Sequence, residues 1–153
     1  MQVHQVMTTS PTFLRSRDRL NKAVKLLIDL NINGCPVLSG KRVVGMITQT
    51  DIINAIDPHA RIIKDIDLLS LVEATLKDPR FENMKKSISK TMKMPVGKFM
   101  NRKIIAVDHE EDIYNAARLI NENDISMLPV VKNQKLVGIL TRTDIVKVLE
   151  KLC

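Results

Sequence analysis

Two copies of one sequence unit make up most of the chain, and no other feature constrains the fold as strongly. A shift of 93 residues places residues 3–56 on residues 96–149 without a gap. Matching at one constant spacing marks an internal duplication, which decides the architecture before any single element is considered. Thirteen aligned positions are identical: Val3/Val96, Met7/Met100, Ala23/Ala116, Leu26/Leu119, Ile32/Ile125, Pro36/Pro129, Val37/Val130, Val44/Val137, Gly45/Gly138, Thr48/Thr141, Thr50/Thr143, Asp51/Asp144 and Ile52/Ile145.

Each copy has the pattern helix, strand, strand, helix. Apolar residues recur at helical spacing over residues 20–30 and 113–120. Short apolar runs joined by turn residues then predict one strand hairpin in each copy. Because so small a unit cannot bury its sheet alone, we expect an α/β fold of the α+β type, with the copies packed sheet to sheet about a pseudo-twofold axis. The predicted strands and closing helices are 35–38, 42–47 and 51–56, then 128–131, 135–140 and 144–149.

Local signals also predict where the two longer helices begin. Ser16 is a candidate N-cap for the first helix, with Asp18 in its first turn. Asp108, followed three residues later by Glu111, has the pattern of a capping box for the second helix.

The repeat also predicts the domain boundaries. Residues 1–56 form the first copy, residues 57–95 a connecting insertion and residues 96–153 the second copy. The insertion is too apolar for a flexible linker, and residues 65–76 have a helical pattern. Residues 83–94 are basic and are either helical or ordered only on binding. Such an insertion would cover one end of the paired copies or a partner.

Positive charge is concentrated in the last part of the insertion and the first residues of the second copy. The chain has a net charge of +7, and between Phe81 and Asp108 the only acidic residue is Glu82. A local field of this kind attracts phosphate, on a small ligand or on nucleic acid bound through residues 85–103, although a solvated connection also explains it. Aromatic residues make up only 3% of the chain, which favours duplex backbone contact over base stacking. The basic residues are Lys85, Lys86, Lys90, Lys93, Lys98, Arg102 and Lys103.

Composition argues against several other classes of protein. No run approaches the roughly 20 apolar residues that a membrane-spanning helix needs. Cys35 and Cys153 lie far apart and lack metal-ligand spacing, which predicts free thiols in a reducing cytoplasm and no metal site. Residues 1–6 have neither the basic nor the apolar region of a secretory signal. No Cys/His or Ser/His arrangement favours nucleophilic catalysis, so we predict that the chain is not an enzyme.

The strongest motif is Gly-Met-Ile-Thr-Gln-Thr-Asp at residues 45–51, repeated as Gly-Ile-Leu-Thr-Arg-Thr-Asp at residues 138–144. A threonine at the end of a strand can cap the next helix, and an aspartate three residues on completes a capping box. That explanation needs no ligand. The same aspartate at a strand–helix junction can also accept ribose hydroxyls, and the helix N-terminus can meet a phosphate.

The duplicated motif, with the Gly-Cys-Pro-Val and Met-Leu-Pro-Val strands and a leading Val-x-x-x-Met strand, resembles a tandem pair of cystathionine β-synthase (CBS) domains, a Bateman module. The resemblance covers nearly the whole chain. It implies a non-catalytic regulatory module that binds AMP, ADP, ATP, S-adenosylmethionine or a relative in two clefts between the copies. It requires no further cofactor.

The resemblance also implies roles for particular residues. Asp51 and Asp144 would hold ribose hydroxyls, and Thr48 and Thr141 would contact ribose or phosphate. Backbone groups around the two prolines would read the adenine edge, and the leading strands would supply a pocket wall. These two sets are Cys35, Pro36, Leu128 and Pro129 for the adenine edge, and Ser10, Pro11, Arg102 and Lys103 for the wall.

The two predicted sites differ in charge. Arg142 stands where the first copy has Gln49, and Arg102-Lys103 where it has Thr9-Ser10. A polyphosphate would prefer the cleft that these basic residues border, and which cleft that is depends on how the copies pack. From the sequence we expect the motif of the second copy to be the better phosphate site. The resemblance further implies a homodimer formed through helical faces, of undetermined orientation, and a separate enzyme or transporter as partner.

Overall fold

A computed structural model of the chain describes residues 1–60, 77 and 82–153. Within these residues there are seven strands and five α-helices, besides short 3-10 turns. The helical pattern at residues 65–76 lies outside the described residues. The elements are β1 (Thr8–Thr9), β2 (Leu14–Arg15), α1 (Leu20–Asp29), β3 (Gly34–Ser39), β4 (Arg42–Thr48), α2 (Gln49–Ala60), α3 (Glu82–Met92), β5 (Val107–Asp108), α4 (Ile113–Glu122), β6 (Met127–Lys132), β7 (Lys135–Thr141) and α5 (Arg142–Leu152).

The predicted hairpins are confirmed in both copies. Strands β3 and β4 pair antiparallel, as do β6 and β7, and the register shifts at equivalent points, between Val37 and Leu38 and between Val130 and Val131. Strand β2 joins β3 in parallel, and β5 joins β6 in the same way. The result is the mixed α and β fold expected from the sequence, with one sheet in each copy.

The copies exchange the segments that precede β2 and β5, here called the leading segments (residues 1–12 and 94–105). Strand β1 of the first copy pairs with β7 of the second. In the opposite direction, Met46 of β4 and Asn101 exchange two backbone hydrogen bonds of 2.8 and 2.9 Å. Each leading segment therefore completes the sheet of the other copy.

The exchange extends into the hydrophobic cores. Val3 is fully buried within the core of the second copy, whereas Val96 and Met100 are buried in the core of the first. Burying one such side chain stabilises the folded state by roughly 1.5–3 kcal/mol. Neither copy has a complete core of its own, so the two are expected to unfold together.

The signature glycines make this exchange sterically feasible. A Cβ atom on Gly45 would lie 2.6 Å from the Sδ of Met100, and one on Gly138 would lie 2.5 Å from the Sδ of Met7. The glycine that opens each motif thus leaves room for the methionine of the opposite leading segment. Its role is interdomain packing rather than ligand contact.

Three local predictions are wrong. The leading strand is a 3-10 turn in both copies, Val3–Gln5 and Val96–Lys98. Helix α1 begins at Leu20 behind Arg19, not behind Ser16. Asp18 therefore precedes the helix, and its carboxylate accepts the Arg15 N–H at 2.8 Å.

Helix α4 likewise begins later than predicted. Asp112, not Asp108, is its N-cap and accepts the Tyr114 N–H; Asp108 lies on β5. The first N–H groups of α1 and α4 are satisfied by the exchanged segments, since Leu20 N donates to Met94 O at 2.9 Å and Ile113 N to Met1 O at 3.0 Å. For α1, whose N-cap Arg19 makes no side-chain cap, the acceptor from the other leading segment leaves no local capping signal to read.

The basic part of the insertion is helical, as one of the two sequence interpretations held. Helix α3 packs against α1 and α2, and its Thr91 is buried, with its hydroxyl donating to Ser87 O at 3.1 Å. Among the described residues, no helix is both long and apolar enough to span a bilayer.

Candidate ligand-binding clefts

Two clefts lie between the copies, and each is built from both. Cleft one, of about 610 Å³, contains the β4–α2 junction with Thr48 and Asp51. Cleft two, of about 430 Å³, contains the β7–α5 junction with Thr141 and Thr143. Both volumes fall in the range of small-molecule sites, about 300–1,000 Å³.

The exchange of the leading segments decides what faces each junction. Opposite Asp51, cleft one is lined by Asn101, Lys103 and Ile105 of the second leading segment, and by residues 123–127 with Pro129. Cleft two is lined by the first leading segment, the loop before β3 and the first residues of β3. Its lining residues from these parts are Thr8, Ser10, Pro11, Thr12, Leu30, Asn31, Ile32, Asn33, Gly34, Cys35 and Pro36.

The Thr-x-x-Asp motif forms a capping box at both junctions. The N–H and the hydroxyl of Thr48 both donate to Asp51 Oδ2 at 2.9 Å, and the Asp51 N–H donates to Thr48 Oγ1 at 3.3 Å. The Thr141–Asp144 pair repeats these bonds at 2.8, 2.8 and 3.2 Å. The motif therefore stabilises the start of both helices, whatever the clefts bind.

The two aspartates differ in their access to the clefts. Asp51 lines cleft one. Asp144 is absent from the described lining of cleft two, whose junction contributes Thr141, Arg142 and Thr143 instead. A carboxylate is thus available to a ligand in cleft one, whereas cleft two presents hydroxyls at the equivalent place.

The residues around the two prolines also differ. Cys35 and Pro36 line cleft two, and Pro129 lines cleft one. Leu128, the equivalent of Cys35, is fully buried in the core of the second copy, and the described lining of cleft one has Met127 in its place. Burial raises the pKa of the Cys35 thiol to about 12, which makes this cysteine a packing group rather than a reactive one.

The basic residues do not gather around the second motif as predicted. Lys103 lines cleft one, opposite Asp51 of the first copy. Arg102 lines neither cleft among the described residues, and its guanidinium donates to Gly97 O at 3.0 Å. The expectation that Arg102-Lys103 would serve the second motif is wrong because the leading segment that carries them crosses to the first copy.

Ser10 and Pro11, expected from the sequence in a pocket wall, line cleft two. Ser10 has a φ of 52°, in the left-handed region that non-glycine residues seldom adopt. Its counterpart Lys103 has no positive φ. The two leading segments therefore follow different backbone paths past the two clefts.

Arg142 lies in the walls of both clefts. Its Nε donates to Ile125 O at 2.9 Å, and its Nη2 donates to Asp124 Oδ1 at 3.1 Å. Gln49, its counterpart, lines cleft one alone and reaches the equivalent carbonyl of Ile32 at 3.4 Å. Arg142 and Gln49 thus both donate to the carbonyl of the equivalent isoleucine, Ile125 or Ile32.

Some lining residues were not singled out from the sequence. Asn33 and Ser126 are equivalent positions whose carbonyls accept the N–H groups of Gln49 and Arg142, at 2.9 and 3.1 Å. Thr12 lines cleft two. Asn33 and Ser126 directly precede the Gly-Cys-Pro-Val and Met-Leu-Pro-Val strands, and Thr12 follows Ser10-Pro11, so their proximity to these motifs was the available signal. Among the described residues, no cluster of His, Cys, Asp and Glu forms a metal site.

Comparison with known proteins identifies the unit that is duplicated. The model of the CBS domain family matches residues 3–58 and 96–151. The uncharacterized protein MJ1426 of Methanocaldococcus jannaschii is 31% identical over 147 residues, which cover 91% of this chain and 86% of that protein. The chloroplastic CBS domain-containing protein CBSX2 of Arabidopsis thaliana is 32% identical over 130 residues, 84% of this chain but only 54% of CBSX2.

Solved structures have the same architecture. CBSX2 in complex with AMP superposes with a TM-score of 0.71 at 26% identity, covering 99% of this chain and 97% of that one. The CBS domain pair of protein MJ0100, in complex with 5′-methylthioadenosine and S-adenosyl-L-methionine, has a TM-score of 0.69 at 22% identity and covers 100% and 98%. At that identity, the second likeness is one of fold.

Proposed function

The chain belongs to the CBS domain family as a tandem pair of CBS domains, and we propose that it is a non-catalytic regulatory protein that binds an adenosine-containing ligand. The observation that carries this proposal is the composition of cleft one. It brings Asp51 at a helix start, Lys103 and the backbone before Pro129 around one space of about 610 Å³.

Each of these groups suits one part of a nucleotide. The capping bonds use Oδ2 of Asp51, so Oδ1 is left to accept a ribose hydroxyl. Lys103 and Arg142 supply the positive charge that a phosphate needs, and the N-terminus of α2 adds partial positive charge. The chain at Ser126 and Met127 offers backbone groups to the adenine edge.

Cleft two suits a ligand with less negative charge. Its lining has several hydroxyls, among them Ser10, Thr12 and Thr143, and its one charged lining residue among those described is Arg142. CBSX2 has been crystallised with AMP, and the MJ0100 pair with two adenosine-containing thio-compounds. Adenosine ligands with and without a phosphate are therefore compatible with this architecture.

Regulation would act through the arrangement of the copies. A ligand in either cleft touches both copies at once, so it would favour one relative orientation of the two. Exposed apolar residues on the closing helices offer a surface for a homodimer or for a separate enzyme or transporter. They include Ile53 (61% exposed), Val146 (61%), Leu149 (56%) and Leu152 (74%). A cytoplasmic location accords with the two free thiols.

Calorimetric titration of the whole chain tests the proposal. The ligands are AMP, ADP, ATP and S-adenosylmethionine, with GMP as a control for base recognition. We expect at least one adenosine ligand to bind and GMP to bind far more weakly. Native mass spectrometry of the purified protein would report the oligomeric state and any ligand retained with it.

The contrary results are specific. The proposal is wrong if none of the four adenosine ligands binds, or if binding is indifferent to both Asp51→Ala and Asp144→Ala in variants that still melt cooperatively. Hydrolysis of a bound nucleotide would contradict the non-catalytic assignment.

The exposed lysines of α3 and of the residues after it support nucleic-acid binding as a second candidate. Lys86, Lys90 and Lys93 are exposed, but Lys103 lines cleft one and Arg102 donates to Gly97 O. The basic stretch is therefore divided. A gel-shift assay with duplex DNA and RNA at increasing salt would dismiss the idea if no retention is seen at moderate salt.

A further inference from the structure

Four of the described residues line both clefts: Asn33, Ser126, Met127 and Arg142. Arg142 alone among them is charged. Its guanidinium is thus the one positive group within reach of both clefts, whereas Lys103 lines cleft one only.

The guanidinium is held from the side of cleft one. Asp124, which accepts its Nη2–H at 3.1 Å, lines cleft one but not cleft two in the described structure. The pair is weak, because the Asp124 side chain is 97% exposed and that of Arg142 is 52% exposed. A phosphate in either cleft would therefore compete readily with Asp124 for Arg142.

A guanidinium binds a phosphate best through two parallel N–H groups on one edge. Arg142 already uses Nε for the carbonyl of Ile125, so it cannot offer such an edge to two phosphates on opposite sides. A phosphate in cleft one also places negative charge next to the wall that it shares with cleft two, which disfavours a second anion there.

We propose that Arg142 couples the two clefts, so that a phosphate-bearing ligand in one cleft lowers the affinity of the other for such a ligand. The proposal rests on the function proposed above and adds how its two sites influence each other. An uncharged ligand makes no demand on Arg142, so adenosine in one cleft should leave adenosine binding in the other unchanged.

Two equivalent residues can report on the clefts separately. Met46 lines cleft one alone, and Ile139, its counterpart in the second copy, lines cleft two alone. Methyl 13C labels on both, observed by NMR during titration of the whole chain, give one binding curve for each cleft. AMP and adenosine serve as the charged and uncharged probes.

Emptying cleft one measures the coupling. Asp51→Ala removes a group that lines cleft one only, and Lys103→Ala does so without touching the helix cap. With AMP, we expect the dissociation constant reported by Ile139 to fall about fivefold or more in Asp51→Ala relative to wild type, within the range typical of coupled sites. We expect a smaller fall in Lys103→Ala, which weakens AMP binding in cleft one without emptying it. With adenosine we expect no change.

Arg142→Gln is the matched control, because the chain itself has glutamine at the equivalent position 49. In this background the effect of Asp51→Ala on AMP binding at Ile139 should disappear. The coupling is disproved if Ile139 gives the same AMP curve whether or not cleft one is emptied, or if Ile139 reports no AMP binding in any variant. It is also disproved if the effect persists in Arg142→Gln or is equal for adenosine. Two silent methyl groups with both probes would instead contradict the proposed function.

Discussion

Cleft one and cleft two come from equivalent positions of a duplicated unit, yet they offer different chemistry. Cleft one presents the charged side chains of Asp51 and Lys103, whereas cleft two presents hydroxyl groups, including that of Ser10. Cleft two is also smaller, about 430 Å³ against about 610 Å³. The capping boxes are nearly identical, with hydroxyl-to-carboxylate distances of 2.9 and 2.8 Å. A motif can thus be kept for helix stability in both copies while the surroundings of each diverge.

The exchange of leading segments makes this divergence indirect. Substitutions in the leading segment of the second copy change the cleft at the first copy's motif, and the reverse holds for the first copy. The two clefts therefore have to be compared by what faces each motif, not by the sequence that continues it.

The largest expected difference concerns the two cysteines, of which Cys35 is buried at cleft two and Cys153 is exposed. Cys35 lines cleft two and is 1% exposed, with burial raising its pKa to about 12. An ordinary thiol has a pKa of about 8.5, so near neutral pH the thiolate fraction of Cys35 is lower by about three orders of magnitude. We expect iodoacetamide to alkylate the exposed Cys153 at least about 1,000-fold faster than Cys35, measured by mass spectrometry of the peptides.

The same pKa fixes the direction of the pH dependence. Alkylation of Cys35 in the folded protein should still be rising between about pH 9 and 11, because its thiolate forms only near the raised pKa. Cys153→Ser isolates this signal. Comparable rates for the two cysteines at neutral pH, under native conditions, would show that Cys35 is not enclosed as described.

Substitution of the two aspartates distinguishes capping from binding. Asp51→Ala and Asp144→Ala should each lower stability by about 1 kcal/mol, since each removes the carboxylate side of a capping box and leaves the threonine cap in place. Only Asp51→Ala should abolish a carboxylate contact with a ligand, weakening adenosine-ligand binding at cleft one by about 10- to 100-fold, as expected for the charge-assisted hydrogen bond from a ribose hydroxyl to Oδ1. Calorimetry and thermal melting give the two quantities separately.

Equal losses of binding from both aspartates would break the distinction. It would mean that Asp144 also reaches a ligand in cleft two. A loss of stability from only one of them would contradict the equivalence of the two caps.

The signature glycines allow a test on the side of packing. Gly45→Ala and Gly138→Ala should each destabilise the fold by about 1–3 kcal/mol through overpacking against Met100 and Met7. Gly138→Ala should cost more, because its Cβ would also lie 2.9 Å from Thr8 O, whereas that of Gly45 would lie 3.1 Å from Asn101 O. Urea unfolding followed by circular dichroism measures both.

A double variant checks the cause of that loss. Gly45→Ala with Met100→Ala should be less destabilised than the sum of the single changes, because the second removes what the first collides with. If the two losses of stability simply add, the strain in Gly45→Ala does not come from contact with Met100.

The smallest expected effect concerns Lys103. Lys103→Ala should weaken AMP binding in cleft one by about five- to tenfold and leave adenosine binding there nearly unchanged, since a phosphate contact is lost and no other. Arg102→Ala, in the adjacent residue that lines neither cleft, is the control. An equal loss from Arg102→Ala would indicate a general effect of positive charge rather than a contact.

Much of the fold could be predicted from the sequence because the signals are local. The hairpins follow from short apolar runs around turn residues, and the Thr-x-x-Asp caps from a spacing of three residues. The start of α1 could not be predicted, since its first N–H is satisfied by Met94 of the second leading segment and Arg19 makes no side-chain cap. The start of α4 is predicted wrongly although Asp112 is a local N-cap, because Asp108 and Glu111 have the spacing of a capping box. The leading turns, of three residues each, are too short for any periodicity to reveal them.

The candidate site divides in the same way. Thr48, Thr141, Arg142 and the two prolines were found from their motifs, and all of them line a cleft. Leu128 and Arg102 were also predicted to be in the site but line neither cleft in the described structure. The Leu128 side chain is buried in the core, and the Arg102 guanidinium donates to the backbone carbonyl of Gly97.

The sequence by itself determined that the chain is a duplicated α and β unit with one capping box at each strand–helix junction. Only the tertiary structure decided which leading segment faces which motif, and so which cleft contains Lys103, where Asp144 points and which arginine is shared. The physical reason is range. Caps and hairpins arise among residues a few positions apart, whereas the clefts depend on backbone pairing between segments far apart in the sequence, Thr8 with Ile139 and Met46 with Asn101, where no local pattern records the partner.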